Sequence, residues 1–158
     1  MMKPEELLSL ARAHGCYLAT AESCTGGMVG TQITAIPGSS DVYLGGFVTY
    51  SNKAKEKLLS VPSSCLEAHG AVSKQTALAM AAGCSASFDD CLAVSITGIA
   101  GPGGGSDEKP VGLVYIATAM GMIHEVRHFV FSGDREEVRS QACAQALASL
   151  GRHIITHL

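Results

Sequence analysis

Three apolar runs of the sequence each end abruptly in a polar or glycine-rich turn, and this recurrence constrains the fold more than any other feature. The runs are Cys16–Thr20, Gly45–Tyr50 and Cys91–Thr97. Their length and composition indicate buried strands, and the first two turns lead into segments with helical spacing. We therefore predict strands that alternate with helices, with the helices packed on the faces of one sheet.

The remaining segments complete this architecture. Two strand-like segments, Val111–Ala119 and Ile123–Ser132, are separated by only three residues and predict an antiparallel hairpin. The predicted helices are Glu5–Arg12, a segment from Val29 to Ile36, Lys53–Leu59 with Ser51 or Asn52 as its cap, an alanine-rich helix from Ser73 to about Phe88, and a C-terminal helix opened by Asp134. The order predicts an α/β fold: one three-layer α/β/α domain with a mixed sheet, spanning residues 1–158.

The composition excludes several classes of protein. Apolar residues make up 47% of the 158 residues and charged residues 16%, which is apolar enough for a folded core. A net charge of -3 gives no basic surface for phosphate backbones, so we expect no nucleic-acid partner. The sequence has neither the pattern of a signal peptide nor an apolar run of about 18 residues, so we expect no membrane association. Six cysteines without a CxxC pair predict free thiols in a reducing cytoplasm.

The first turn carries a candidate nucleophile, Ser23. It lies between a predicted strand and the amino end of a helix, where unpaired backbone N–H groups and the helix dipole favour negative charge. Gly26 and Gly27 lack side chains and allow a substrate to approach those donors. The alternative is structural, because Ser23 or Thr25 would serve equally well as a helix cap.

A serine nucleophile needs a base, and the second turn offers Lys53, Lys55 and Lys57. A lysine acts as a base when burial lowers its pKa and leaves the amine neutral. Lys53 and Lys57 share one helical face and Lys55 lies on another. Position alone does not choose between them, and a solvated charged helix is the structural alternative.

Two other motifs are less specific. The loop Gly98–Ser106 holds five glycines but matches neither the P-loop nor the dinucleotide-binding fingerprint, although its backbone N–H groups suit an anion or a carboxamide. His153 and His157 are four residues apart on a helix and would share a face. No acidic or cysteine residue lies near them in the sequence, which favours a solvated helix end over a metal site.

Six motifs in order resemble the C-terminal domain of the competence/damage-inducible protein family CinA. They are Ala21–Gly27 (AESCTGG), Phe47–Lys55 (FVTYSNKAK), His69–Ser73 (HGAVS), Ser95–Pro102 (SITGIAGP), Glu108–Gly112 (EKPVG) and Ser132–Arg135 (SGDR). The resemblance extends over nearly the whole chain and implies the stand-alone form of this domain. It implies a nicotinamide-nucleotide amidohydrolase, which converts nicotinamide mononucleotide to nicotinate mononucleotide and ammonia.

The resemblance also implies roles for individual residues. The catalytic positions are Ser23, Tyr50, Lys55 and Thr97, and Lys55 is preferred over Lys53 because it occupies the motif position. The expected substrate-binding residues are Glu22, Thr25, Gly26, Gly27, Gly101, Gly103, Arg135 and Arg139, with the two arginines on the phosphate. We expect a small-molecule nucleotide substrate, a homo-oligomer, and neither a cofactor nor a metal ion.

Two rival hypotheses remain open at this stage. In the first, Cys24 is the nucleophile, assisted by Glu22 and Lys55, since a thiolate is intrinsically the stronger nucleophile. In the second, the chain is a non-catalytic nucleotide-binding or partner-binding module related to competence or DNA damage.

Overall fold

A five-stranded mixed sheet, in the order β2-β1-β3-β4-β5, organises the fold. The computed structural model describes all residues from 1 to 158. The strands are β1 (Leu18–Glu22), β2 (Tyr43–Val48), β3 (Leu92–Gly98), β4 (Leu113–Met120) and β5 (Ile123–Val130). The helices are α1 (Pro4–Ala13), α2 (Met28–Thr34), α3 (Asn52–Leu59), α4 (Ser63–His69), α5 (Lys74–Ser87) and α6 (Arg135–His157), with a short 3₁₀ turn at Ser39–Asp41.

Helices cover both faces of the sheet. Helices α1, α2 and α6 pack together on one face, and α3 and α4 pack with α5 on the other. The predicted three-layer α/β/α domain with a mixed sheet is therefore confirmed, as is the antiparallel β4–β5 hairpin. No helix combines the length and the apolar character that crossing a membrane requires.

The two faces of the sheet differ in the size of their side chains. Along β3, Leu92, Val94 and Ile96 belong to the core beneath α1, α2 and α6, while Ala93 belongs to the core beneath α4 and α5. Small side chains allow α5 to approach the sheet closely, so that the Ser95 hydroxyl donates a hydrogen bond of 2.6 Å to the backbone carbonyl of Ala77. This alternation between faces follows from the two-residue period of a strand.

The strand directions bring three turns to one edge of the sheet. Strand β1 is parallel to both β2 and β3. The carboxyl ends of these three strands therefore lie side by side, and the turns that follow them converge, as predicted. This edge is where open α/β sheets commonly bind ligands.

Several boundaries differ from the predicted ones. Strand β1 begins and ends two residues later than the predicted strand Cys16–Thr20. Leu18 is the first residue that pairs with both neighbouring strands, and Glu22 still pairs with Val48. The sequence also gave no sign of α4, a seven-residue helix with Leu66 as its one buried residue. A single apolar position shows no periodicity, so such a helix escapes pattern analysis.

The predicted helix caps can be compared directly with the structure. Ser51, rather than Asn52, caps α3 by accepting a hydrogen bond from the Ala54 N–H. Ser73 and Asp134 cap α5 and α6 in the same way. A short polar side chain that accepts a bond from the first helical turn is the usual reason for such a boundary.

Helix α3 is held on α5 by a close backbone approach. A methyl group at Gly83 of α5 would overlap the carbonyl oxygen of Leu59, the last residue of α3. Glycine at this position therefore sets the separation of the two helices.

We expect Gly83→Ala to destabilise the chain by up to about 2 kcal/mol, because overpacking costs about 1 to 3 kcal/mol while alanine regains about 1 kcal/mol of helix propensity. Urea unfolding measures the change. Gly103→Ala is the matched control, since a methyl group there meets nothing within 4 Å. A Gly83→Ala variant about 1 kcal/mol more stable than the control, which lies in a loop and gains no helix propensity, would show that the helices separate without cost.

Candidate active site

The three converging turns enclose a cavity of about 220 Å³. Four predicted catalytic residues, Ser23, Tyr50, Lys55 and Thr97, contribute to its wall together with Arg135. The other lining residues are Cys24, Ala71, Val72, Gly98 and Ala100. Ala71 and Val72 were not among the predicted site residues. They lie inside the HGAVS motif, but their side chains are apolar and gave no sign of a functional role.

Ser23 and Lys55 are in direct contact at the base of this cavity. The Lys55 Nζ lies 3.0 Å from the Ser23 Oγ. Both residues are buried, with 8% of Ser23 and 1% of Lys55 exposed. The Lys55 Nζ also donates to the backbone carbonyls of Thr49, at 2.9 Å, and Tyr50, at 3.3 Å. A neutral amine has two N–H donors and one lone pair, so two carbonyls leave its lone pair for the serine hydroxyl.

No carboxylate balances the charge of Lys55. The three ion pairs of the structure lie elsewhere, and none involves this amine. Burial lowers the pKa of Lys55 from its ordinary value of 10.5. An amine buried without a counter-charge favours its neutral form, which is the form that accepts a proton.

Glu22 occupies a different place from the one expected of a substrate-binding residue. Its carboxylate is buried and accepts hydrogen bonds from the amides of Gly27, Val29 and Gly30 at 3.0 to 3.2 Å. Glu22 therefore caps the amino end of α2, and the alternative that Ser23 or Thr25 caps this helix is not realised. Neighbouring residues of a strand point to opposite faces, so Glu22 turns toward α2 while Ser23 turns toward Lys55.

This cap determines which amides of the turn remain free. The amides of Ser23 and Gly26 donate to backbone carbonyls, and that of Gly27 donates to Glu22. The amides of Cys24 and Thr25 have no acceptor within the chain. Of the donors expected from the Ser23–Gly27 turn, these two are available to a ligand.

Arg139 fixes the same turn from the other side. Its guanidinium donates to the carbonyls of Cys24, at 3.0 Å, and Thr25, at 3.2 Å. Gly26 adopts a positive φ of 59° beside this guanidinium. Four residues expected to contact substrate, namely Thr25, Gly26, Gly27 and Arg139, do not line the cavity. They shape the turn that carries Ser23.

Arg135 lies at the mouth of the cavity. It donates to the Gly101 carbonyl at 2.9 Å and to the Tyr50 hydroxyl at 3.1 Å. Tyr50 is 63% exposed and thus forms part of the rim. Gly103 is exposed, in the glycine-rich loop that follows β3. The structure therefore separates the two predicted phosphate-binding arginines, with Arg135 at the cavity and Arg139 behind the turn.

Thr97 and Cys24 are buried residues of the cavity wall with different chemistry. The Thr97 hydroxyl donates to the Ala71 carbonyl at 2.7 Å and so anchors the loop before α5. Burial raises the pKa of the Cys24 thiol to about 11. A thiol with a raised pKa is a poor nucleophile near neutral pH, because the thiolate is the reactive form.

Comparison with known proteins agrees with the fold and with the motifs. Residues 2–154 match the CinA C-terminal domain. The chain belongs to this family. A CinA-like protein of Citrifermentans bemidjiense is 50% identical over 152 residues, which cover 96% of this chain and 37% of that protein. The chain thus spans about a third of the length of the curated relatives it matches.

Solved structures of the CinA superfamily share the fold over almost the whole chain. The superfamily protein of Klebsiella pneumoniae 700603 has a TM-score of 0.90 and 35% sequence identity, covering 97% of this chain and 98% of that one. The competence/damage inducible protein CihA of Agrobacterium tumefaciens has a TM-score of 0.78 and 42% identity, with 98% of each chain covered. The CinA family fold is therefore established for this chain.

The buried amine of Lys55 predicts a pH-dependent stability. At pH values between the lowered pKa of Lys55 and 10.5, the Lys55 amine is protonated in the unfolded chain and neutral in the native chain. The free energy of unfolding of the native chain, relative to Lys55→Met, should therefore increase with pH through that window and stay constant below it. Urea unfolding at stepped pH measures the difference.

Lys53→Met is the control for this experiment, since it removes an exposed charge from the same helix. If the free energy of unfolding of the native chain, relative to that of Lys55→Met, decreases as pH rises, the fold stabilises the charged amine instead.

Proposed function

We propose that this chain hydrolyses the carboxamide of nicotinamide mononucleotide, giving nicotinate mononucleotide and ammonia. The observation that carries the proposal is the 3.0 Å contact between the Ser23 Oγ and the buried Lys55 Nζ, which lacks a carboxylate partner. A serine next to a neutral amine is an activated nucleophile suited to acyl transfer. The substrate follows from the resemblance to CinA domains and from the arginine at the cavity mouth.

In this mechanism Lys55 acts first as base and then as acid. Its lone pair takes the Ser23 hydroxyl proton while the Oγ attacks the carboxamide carbon. The lysine then gives this proton to the leaving nitrogen, the C–N bond breaks, and ammonia departs from a nicotinoyl ester of Ser23. Water next attacks the ester carbon and transfers a proton to Lys55. The C–O bond to Ser23 breaks, the proton returns to Oγ, and nicotinate mononucleotide is released.

The free amides of Cys24 and Thr25 are the proposed oxyanion donors. They adjoin the nucleophile, and no other acceptor in the chain competes for them. In comparable hydrolases one such donor contributes about 3 to 4 kcal/mol to transition-state stabilisation. Because Arg139 binds the carbonyls of the same two residues, it acts as a positioning residue for these donors.

Arg135 is the proposed contact for the 5'-phosphate. A guanidinium has five N–H donors, and two bonds to Gly101 and Tyr50 leave donors for an anion. The neighbouring loop is exposed and rich in glycine, so its amides are accessible as further donors. A phosphate at the mouth would direct the pyridine ring inward, toward Ser23.

Each rival hypothesis makes a different prediction for the purified chain. A Cys24 nucleophile is disfavoured by the raised pKa of its buried thiol. A non-catalytic binding module would release no ammonia from nicotinamide mononucleotide. An ammonia assay over a small panel of pyridine nucleotides distinguishes it from the amidohydrolase.

We expect Ser23→Ala to abolish ammonia release with little change in stability, and Cys24→Ala to retain it. Lys55→Arg should lose about 10² to 10⁴ in kcat/KM, because a guanidinium keeps its proton and cannot serve as a base. Lys53→Arg is the matched control on the same helix and should behave like the native chain. Activity that survives in Ser23→Ala and disappears in Cys24→Ala would show that the Cys24 thiol, and not the Ser23 hydroxyl, is the nucleophile.

The two arginines should affect substrate selectivity differently. Nicotinamide riboside lacks the phosphate, so a lost charge-assisted contact should make it about 10- to 150-fold poorer than the mononucleotide in kcat/KM. Arg135→Ala should shrink this ratio, whereas Arg139→Ala should lower kcat for both substrates alike. If Arg135→Ala keeps the native ratio while retaining activity, the phosphate binds elsewhere, first in the backbone of residues 101–106.

A further inference from the structure

A second cluster of potential ligands lies far from the cavity, at the carboxyl end of α6. It joins His153 and His157 of this helix to Glu125 of β5, and the donor atoms of the three side chains lie within 4.8 Å of one another. The spacing of the two histidines, with no acidic residue near them in the sequence, favoured a solvated helix end over a metal site. The structure corrects this expectation, because His153 is fully buried and the carboxylate comes from a strand.

His153 has an unused nitrogen inside this cluster. Its Nδ1 lies 2.9 Å from the Thr118 hydroxyl, whereas its Nε2 is buried without any hydrogen-bond partner. A buried polar atom without a partner costs free energy, so such atoms are uncommon in native proteins. When Nδ1 donates to the Thr118 oxygen, the lone pair on Nε2 is free for a metal ion. A hydrogen bond on the other ring nitrogen is also the usual support of a metal-binding histidine.

The other two side chains provide access from solvent. The His157 Nε2 and the Glu125 Oε1 are 2.7 Å apart, with side-chain exposures of 26% and 27%. Arg152 lies 3.6 Å from the second carboxylate oxygen and competes for the same charge.

We propose that Glu125, His153 and His157 bind one Zn²⁺ ion, with water as the fourth ligand. Two imidazoles and one carboxylate are a typical ligand set for this ion. Bonds of about 2.0 to 2.1 Å in a tetrahedron separate neighbouring ligand atoms by about 3.3 Å. The partly exposed side chains of Glu125 and His157 adjust by about 1.5 Å or less to meet this geometry, while Thr118 holds His153 in place.

This site is separate from the proposed reaction. Along α6, His153 lies about 27 Å from Arg135 at ~1.5 Å per residue. The ion would join the carboxyl end of α6 to the edge strand β5 and thus stabilise the fold without contacting the substrate. Binding to the native chain alone raises the melting temperature by mass action, by about 5 to 10 °C when free Zn²⁺ is about 100 times Kd.

Calorimetric titration of the untagged, metal-stripped chain with Zn²⁺ tests this proposal, together with the melting temperature and the absorption spectrum of the Co²⁺ form. We expect one ion per chain, a tetrahedral Co²⁺ spectrum without sulfur charge-transfer bands, and unchanged ammonia release. Mg²⁺ and Ca²⁺ should not bind, since they prefer oxygen ligands. Sulfur bands would place the ion on cysteines and overturn the proposal.

Variants complete the experiment. Thr118→Val should weaken Zn²⁺ binding by about 10- to 100-fold, and His157→Gln or Glu125→Gln by more. His128→Gln is the matched control, because it removes another imidazole from β5 outside the cluster. Both ligand variants alter partly exposed side chains, so their folding can be verified independently by their melting temperatures without metal. Native affinity in both, or absence of binding to the native chain, would overturn the proposal.

Discussion

The cost of burying the Lys55 amine is the constraint on which the proposed active site depends. Removing a charged amine from water without a partner costs several kcal/mol, and the chain avoids much of this cost by favouring the neutral form. In the neutral amine, the two N–H groups are satisfied by two backbone carbonyls, which leaves the lone pair for the Ser23 hydroxyl 3.0 Å away. A carboxylate beside this amine would stabilise the charged form and remove the base. The nearest carboxylate in sequence to Ser23 is Glu22, and the pleat of β1 turns it to the opposite face.

The sequence predicted the strands, the converging turns and the main caps, because these follow from local patterns. Ser73 and Asp134 are short polar residues directly before helical segments, and the structure gives both this role. The choice of Lys55 over Lys53 rested on the family motif, although a physical signal was present. Lys55 is four residues before Leu59 and shares its face, and that face is the buried one.

The features that escaped prediction join residues far apart in the chain. Arg139 was expected on a phosphate, but it binds carbonyls of a turn 114 to 115 residues earlier. Glu125 completes the histidine cluster from a strand, so the spacing of His153 and His157 gave no sign of it. The type of a side chain limits the kinds of group that it can bond to. Which group it actually meets depends on how α6 packs across the sheet, and this is not visible in the local sequence.

The hydrogen bonds between Arg139 and the Ser23–Gly27 turn also affect when the proposed active site forms during protein synthesis. During synthesis the turn around Ser23 leaves the ribosome well before Arg139, which lies 114 to 115 residues further along the chain and satisfies the carbonyls of this turn. Domains fold as cooperative units, so the turn acquires its final form only when α6 docks. A nascent chain therefore contains Ser23 and Lys55 long before the proposed active site is assembled, and the proposed activity requires the complete fold.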